Sequence, residues 1–226
     1  MPAPPVPITG FLRDEGFGDA MSQLRAREIL EAGGLTNPRK HAMDASKLPR
    51  ARALLGKHVI RVCSSQCHSL APPGREPLLV ESDSRCQVCE GSNNRRAGLL
   101  FAAELRRRGG SKLLVVGGTP ANHQELQQLL APAGVAVRCI DGASSTPSQK
   151  EAWAGERWAD LTVIWATTPL PHKVSLLYTG EPQGRAPVTV ARRGIEALCN
   201  ELRTSLERHG LGDGRRTEGA RGRRIE

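Results

Sequence analysis

Residues 112–118 read KLLVVGG, a short apolar run closed by two glycines. An apolar run without alternation predicts a strand buried on both faces, because an exposed face would carry polar residues at every second position. The same unit then recurs down the chain. NHQELQQLLAP (122–132) has helical spacing, and VAVRCIDG (135–142) is a second strand. A helix over 148–157 leads to LTVIWATT (161–168), a third strand, and HKVSLLY (172–178) is a short helix before a fourth strand, APVTVA (186–191). The amphipathic GIEALCNELRTSLERHG (194–210) closes the series. Strands alternating with helices predict a parallel sheet with right-handed crossovers, so residues 112–210 are expected to form a small three-layer α/β domain of about four strands.

Such sheets, Rossmann-like or flavodoxin-like, bind ligands outside the carboxyl ends of their strands. Those ends read GGTPANH (117–123), DGASS (141–145), ATTPLPHK (166–173) and ARRG (191–194). They predict a polar crevice built from Gly117, Gly118, Thr119, Asp141, Thr167, Thr168, His172 and Lys173, suited to a nucleotide-like or phosphorylated ligand. Connections between strands and helices are rich in such turn formers in any case. Neither GxGxxG nor GxxxxGK[ST] occurs, which disfavours a standard dinucleotide site or P-loop. If the domain is catalytic, His172, Lys173 and His123 are the candidates for acid–base work. No partner carboxylate is evident from spacing, and surface histidines are the plainer reading.

The stretch from LLVVGGTPANHQELQQLL through ADLTVIWATTPLPHKVSLLY resembles an uncharacterised bacterial family of Rossmann-like domains. Members open with a strand ending in VGG and close with a strand, a threonine-bearing turn and an H–K step into a helix. The matching positions are Gly117, Gly118, Thr167, His172 and Lys173, within residues 112–180. The resemblance implies the doubly wound sheet and brings no established activity.

Upstream the chemistry changes. Cys63 and Cys67 are three residues apart, and Cys86 and Cys89 two, with eighteen residues between the pairs. Two such turns predict a zinc-ribbon-like site, because four soft donors must converge tetrahedrally and each short pair supplies two. His68 could replace Cys67 as the fourth ligand. Four thiolates fill the coordination sphere, so the zinc is expected to be structural, and no HxE stands at a deaminase-like spacing. Cys139 and Cys199, in a predicted strand and helix, read as small core residues.

The residues after Cys89, EGSNNRRAG, predict a helix capped by Ser92 or Asn94 and starting near Arg95. Its amino terminus, with Ser92, Asn93, Arg95 and Arg96, is expected to hold an anion; a capped helix with solvated arginines is the alternative. Arg39, Lys40, Lys47, Arg50, Arg52, Lys57 and Arg61 would extend this into a basic surface that tracks a phosphate backbone. Residues 39–112 carry fifteen Lys/Arg against six Asp/Glu, whereas residues 113–208 carry nine of each, so the net charge of +9 lies in the second quarter of the chain. Phe101 is the only aromatic between residues 39 and 112, so base stacking is not expected and recognition would be backbone-dominated.

The remaining expectations concern boundaries. Residues 1–18, rich in Pro and Gly, read as disordered. Residues 19–111 read as a helical and zinc-binding basic module, and residues 211–226 as a disordered basic tail. Within the module, Met21, Leu24, Ile29 and Leu30 are expected on one face of a helix capped by Asp19 or Ser22. A second helix from Ser46 would turn Leu54, Leu55 and Val59 inward, and residues 62–91 read as loop. MPAPPVPITG lacks a basic and apolar leader pattern, and no run is long enough to span a membrane, so a cytoplasmic, thiol-reducing setting is expected. The function these features favour is a zinc-containing nucleic-acid-binding protein whose α/β domain senses a nucleotide or phosphorylated ligand. An enzyme using His172 and Lys173 is the alternative, and a protein-interaction scaffold is a third.

Overall fold

The structure, a computed structural model, describes residues 4–141, 146–167, 170–179 and 186–211. The chain divides into two compact units, Met1–Arg96 and Ala97–Glu226, so the expected boundary near residue 111 moves back to the first turn of a helix.

In the first unit, β1 (Val6–Pro7) runs into α1 (Ile8–Asp14), followed by α2 (Ala20–Ala32). The chain returns through β2 (Ala42–Met43), which pairs antiparallel with β1, and enters α3 (Leu48–His58) with Pro49 in its first turn. Next, β3 (Val59–Val62) pairs in parallel with β4 (Glu76–Leu79), with α4 (Ser65–Ser69) between them. Part of the stretch read as loop is therefore a β–α–β turn.

The expectation of disorder over residues 1–18 is corrected for residues 6–17, where a strand, a helix and buried side chains are found. Ile8, Phe11 and Leu12 follow i, i+3, i+4 spacing on α1 and are buried together with Phe17. They pack on Ala26 and Leu30 of α2, Ala51 and Leu55 of α3, and Val59, Leu78 and Val80. This aliphatic and phenylalanine core belongs to the unit itself. Asp19 caps α2 by accepting from Ser22 N–H at 2.8 Å. The inward face of α2 is Ser22, Ala26 and Leu30; Met21 and Leu24, expected inside, are 73% and 52% exposed.

The second unit contains the layered sheet. The helix α5 (Asn93–Arg107) begins in the first unit, and its residues from Ala97 onward belong to the second. Then follow β5 (Lys112–Gly117), α6 (Pro120–Leu130), β6 (Ala136–Ile140), α7 (Gln149–Trp158), β7 (Leu161–Trp165), α8 (His172–Thr179), β8 (Val188–Val190) and α9 (Ile195–His209). The four strands are parallel in the order β6-β5-β7-β8, as in doubly wound sheets whose order reverses beside the first strand.

Alternation along β5 explains the apolar run. Leu113 and Val115 face a core shared with Phe101, Leu126 and Leu202, on α5, α6 and α9. Leu114 and Val116 face the opposite core, with Ala152 of α7 and Val174 and Tyr178 of α8. A strand covered on both sides needs apolar residues at every position. Ser148 and Glu151 form a capping box that starts α7. Of the expected carboxy-terminal tail only Leu211 is described, and it packs against the first of these cores.

Candidate metal centre

The four cysteines of the first unit arrive from four local devices. Cys63 follows directly on β3. Cys67 lies in α4, whose cap is Ser64: its hydroxyl accepts from Cys67 N–H at 3.3 Å. A short 3-10 turn over Asp83–Arg85 delivers Cys86, whose N–H donates to Asp83 O at 3.0 Å. Cys89 N–H then lies 3.5 Å from Cys86 Sγ, and the turn is closed by Glu90 and Gly91 at φ of 53° and 78°. The left-handed backbone there is why a glycine follows the knuckle.

All four Sγ atoms lie within 4.8 Å of one another. Cys63 Sγ is 3.7 Å from that of Cys67 and 3.6 Å from that of Cys89. Four sulfurs bonded at roughly 2.3 Å to one tetrahedral ion would stand about 3.8 Å apart, so the donor set fits a metal such as zinc. His68 is exposed on α4 and is not among the convergent donors. Burial pushes the Cys63 thiol up to about 11 and also raises Cys67 and Cys89. At Cys86, burial is outweighed by the backbone N–H groups of Cys89 and Val88, and the thiol is held at about 7. Metal binding displaces thiol protons, so occupancy weakens as pH falls.

The arginines expected at an anion site lie beside this centre. Arg95 Nε donates to Val88 O at 3.0 Å, and its guanidinium lies 3.2 Å from Glu90. Arg96 reaches Cys63 Sγ at 3.6 Å and Asp83 at 3.7 Å, and is bonded to Asn93. Ser92 caps α5 by accepting from Arg95 N–H at 3.2 Å. The cysteine cluster thus stands beside this helix start.

Two further basic residues are likewise committed. Glu15 accepts from Arg52 Nε at 2.7 Å and Arg61 Nη2 at 2.6 Å, and the same guanidiniums lie over Phe11 and Phe17. Nothing local in the sequence announced Glu15, because its partners are 37 and 46 residues away. Arg50 and Lys57 differ: both are exposed and form no ion pair among the described residues. They line a shallow groove of about 300 Å³ with Gly33, Leu35, Ala53 and Leu54.

In the second unit the parallel register sets three of the expected crevice residues beyond the carboxyl ends of adjacent strands. Val116 pairs with Ile140 and Gly117 with Trp165, so Gly118, Asp141 and Thr167 lie beyond neighbouring strand ends. The glycines have a packing reason, however. Gly117 and Gly118 have φ of 90° and 86°, and added Cβ atoms would meet Trp165 O at 2.6 Å and Trp165 Cε3 at 2.6 Å. The indole occupies the space a Cβ would need at Gly118, and its N–H donates to Arg192 O at 2.9 Å. His123 is 8% exposed with Nε2 2.7 Å from Gly117 O, so the ring is a buried strut rather than a partner for His172. His172 and Lys173 are exposed at the start of α8, Thr119 caps α6 by accepting from Asn122 N–H at 3.4 Å, and Thr168 lies outside the described residues. Burial pushes the Cys139 thiol up to about 11 and the Cys199 thiol up to about 12, which keeps both protonated near neutrality.

No protein-family model, curated protein or solved structure matches the chain. Among the described residues, no helix is long and apolar enough to cross a membrane.

Proposed function

We propose that the chain is a zinc protein of a reducing compartment, in which a four-thiolate ion staples the first unit and the exposed face of α3 engages the phosphates of nucleic acid. The observation that carries the reading is the convergence of Cys63, Cys67, Cys86 and Cys89 within 4.8 Å. Four donors leave no open position for water, so the ion orders the chain rather than performing hydrolysis. Support for the phosphate contact is narrower than composition suggests. With Arg52, Arg61, Arg95 and Arg96 tied to internal partners, Arg50 and Lys57 carry it, spaced i, i+7 on one helix, with Arg39, Lys40 and Lys47 preceding them. In the second unit, Thr119, Asp141, Thr167, His172 and Lys173 would take a nucleotide-like or phosphorylated ligand outside the strand ends.

The reading is tested on the reduced full chain. Elemental analysis should give about one zinc per chain. Binding to a labelled DNA duplex should weaken steeply with salt, and the double variant Arg50→Ala, Lys57→Ala should flatten the log–log slope by about 1.8. Absence of stoichiometric zinc overturns the metal, and unchanged binding in the double variant overturns the α3 interface.

A further inference from the structure

We infer that Arg96 is the charge-compensating cover of the cysteine centre, protecting Cys63, the least buried of its four cysteines, from competing chelators and electrophiles. The inference rests on reading the four cysteines as a metal site. Cys67, Cys86 and Cys89 are buried, whereas Cys63 is only half-buried. Arg96 directs Nη1 at the sulfur of Cys63, 3.6 Å away. Its guanidinium is not free to wander: Asn93 Oδ1 accepts from Nη2, Asp83 Oδ2 lies 3.7 Å from Nη1, and the side chain is 21% exposed.

Charge explains the need. A divalent ion bound by four thiolates leaves two negative charges in a partly buried site, and uncompensated charge there is costly. A guanidinium N–H pointed at the sulfur offsets that charge and draws electron density from it. Compensating the charge favours the ion-bound thiolate over the protonated thiol, which slows loss of the ion, and the hydrogen-bonded sulfur attacks electrophiles more slowly. Arginine suits the task because its planar fork reaches the sulfur, Asn93 and Asp83 together, which a lysine ammonium cannot do.

Placement in sequence makes the device compact. Arg96 lies seven residues after Cys89, one turn into α5, where its N–H donates to Ser92 O at 3.0 Å. The second knuckle thereby carries its own counter-charge to the first knuckle's half-buried ligand. Arg95 shares the helix turn but reaches Val88 O and Glu90, so it braces the knuckle without touching sulfur.

The test compares the zinc-loaded full chain with Arg96→Gln and Arg96→Lys. Zinc release to excess pyridylazoresorcinol should be about tenfold faster in R96Q, with R96K in between. Within the cluster, N-ethylmaleimide should label Cys63 first, and faster in R96Q by a similar factor. In the cobalt-loaded protein, R96Q should shift the sulfur-to-metal charge-transfer band while the tetrahedral d–d bands stay in place, a change that a purely structural role would not produce. Should R96Q fail to fold, Asn93→Ala removes one tether of the guanidinium and should speed release about threefold. Wild-type rates in these variants, or labelling within the cluster that begins at Cys67, Cys86 or Cys89, overturn the inference while leaving the metal reading intact. A wild-type chain without zinc overturns both.

Discussion

Gln87 is bonded twice to Arg61: its backbone N–H donates to Arg61 O at 2.9 Å, and its side-chain Oε1 accepts from Arg61 N–H at 2.9 Å. Arg61 belongs to β3, which leads into Cys63, and Gln87 sits between Cys86 and Cys89. The pair therefore fixes the distance between the two cysteine turns in the way a third strand would. Gln87→Ala deletes one of the two bonds and should cost about 1 kcal/mol, a fivefold loss of zinc affinity in a chelator competition titration. Undiminished affinity would show that the ion alone sets the spacing of the turns.

Glu15 makes a comparable link on the other side of β3. It is 13% exposed at the side chain and faces two guanidiniums, Arg52 at 56% and Arg61 at 23% exposure. The more exposed pair contributes little, because water screens it, and the Arg61 pair dominates. Glu15→Ala leaves Arg61 without its carboxylate and should destabilise the first unit by about 2 kcal/mol. Hydrogen exchange should report the loss first over residues 8–17, which the wild type protects as part of a packed core. Rapid exchange there in the wild type would mean that α1 is not ordered.

These two relationships show which kind of information the sequence carried. The doubly wound sheet was legible because β5 and β7 are covered on both faces, and continuous apolar runs follow. The cysteine site was legible because each pair of ligands is local. Phe11 and Phe17 were not: proline and glycine around them mask a three-position apolar pattern. Glu76–Leu79 is a strand within the stretch expected to be loop: Pro77 cannot donate to a ladder, yet it is tolerated where only one side is paired. The partners of the arginines were hidden for a more general reason. A charge run looks like a surface for a partner until acceptors distant in sequence, Glu15, Asp83 and the Cys63 sulfur, are placed beside it.

Gly117 and Gly118 give a test of packing against ligand cradle. Alanine at either position must adopt a positive φ, and each Cβ meets Trp165, but at different atoms. At Gly117 the obstacle is a backbone oxygen, which cannot move without disturbing the β5–β7 register. At Gly118 it is the indole ring. Both single variants should lose about 2–3 kcal/mol in denaturant unfolding. In a Trp165→Leu background the added cost of Gly118→Ala should fall by about 1 kcal/mol while that of Gly117→Ala stays the same. Equal costs in both backgrounds would rule out the ring as the reason for Gly118.

Glu104 of α5 supplies a pH dependence whose sign is fixed. Arg107 and Arg108 donate to its carboxylate at 2.6–2.8 Å and hold it down from 4.5 to about 2 against the opposing effect of burial. Above pH 4.5 the carboxylate is charged in the folded and unfolded chains alike, and its pairing favours the fold. As pH falls below 4.5 the unfolded chain takes up the proton first, and the stabilisation drains away toward pH 2. Arg107 is largely exposed, so screening limits the effect to about 1 kcal/mol. Glu104→Gln should therefore be less stable than wild type by about that amount at pH 7, with the gap closing steadily between pH 4.5 and 3, and narrowing also in molar salt. A gap that is constant with pH would assign the loss to packing of the side chain on α5 rather than to its charge.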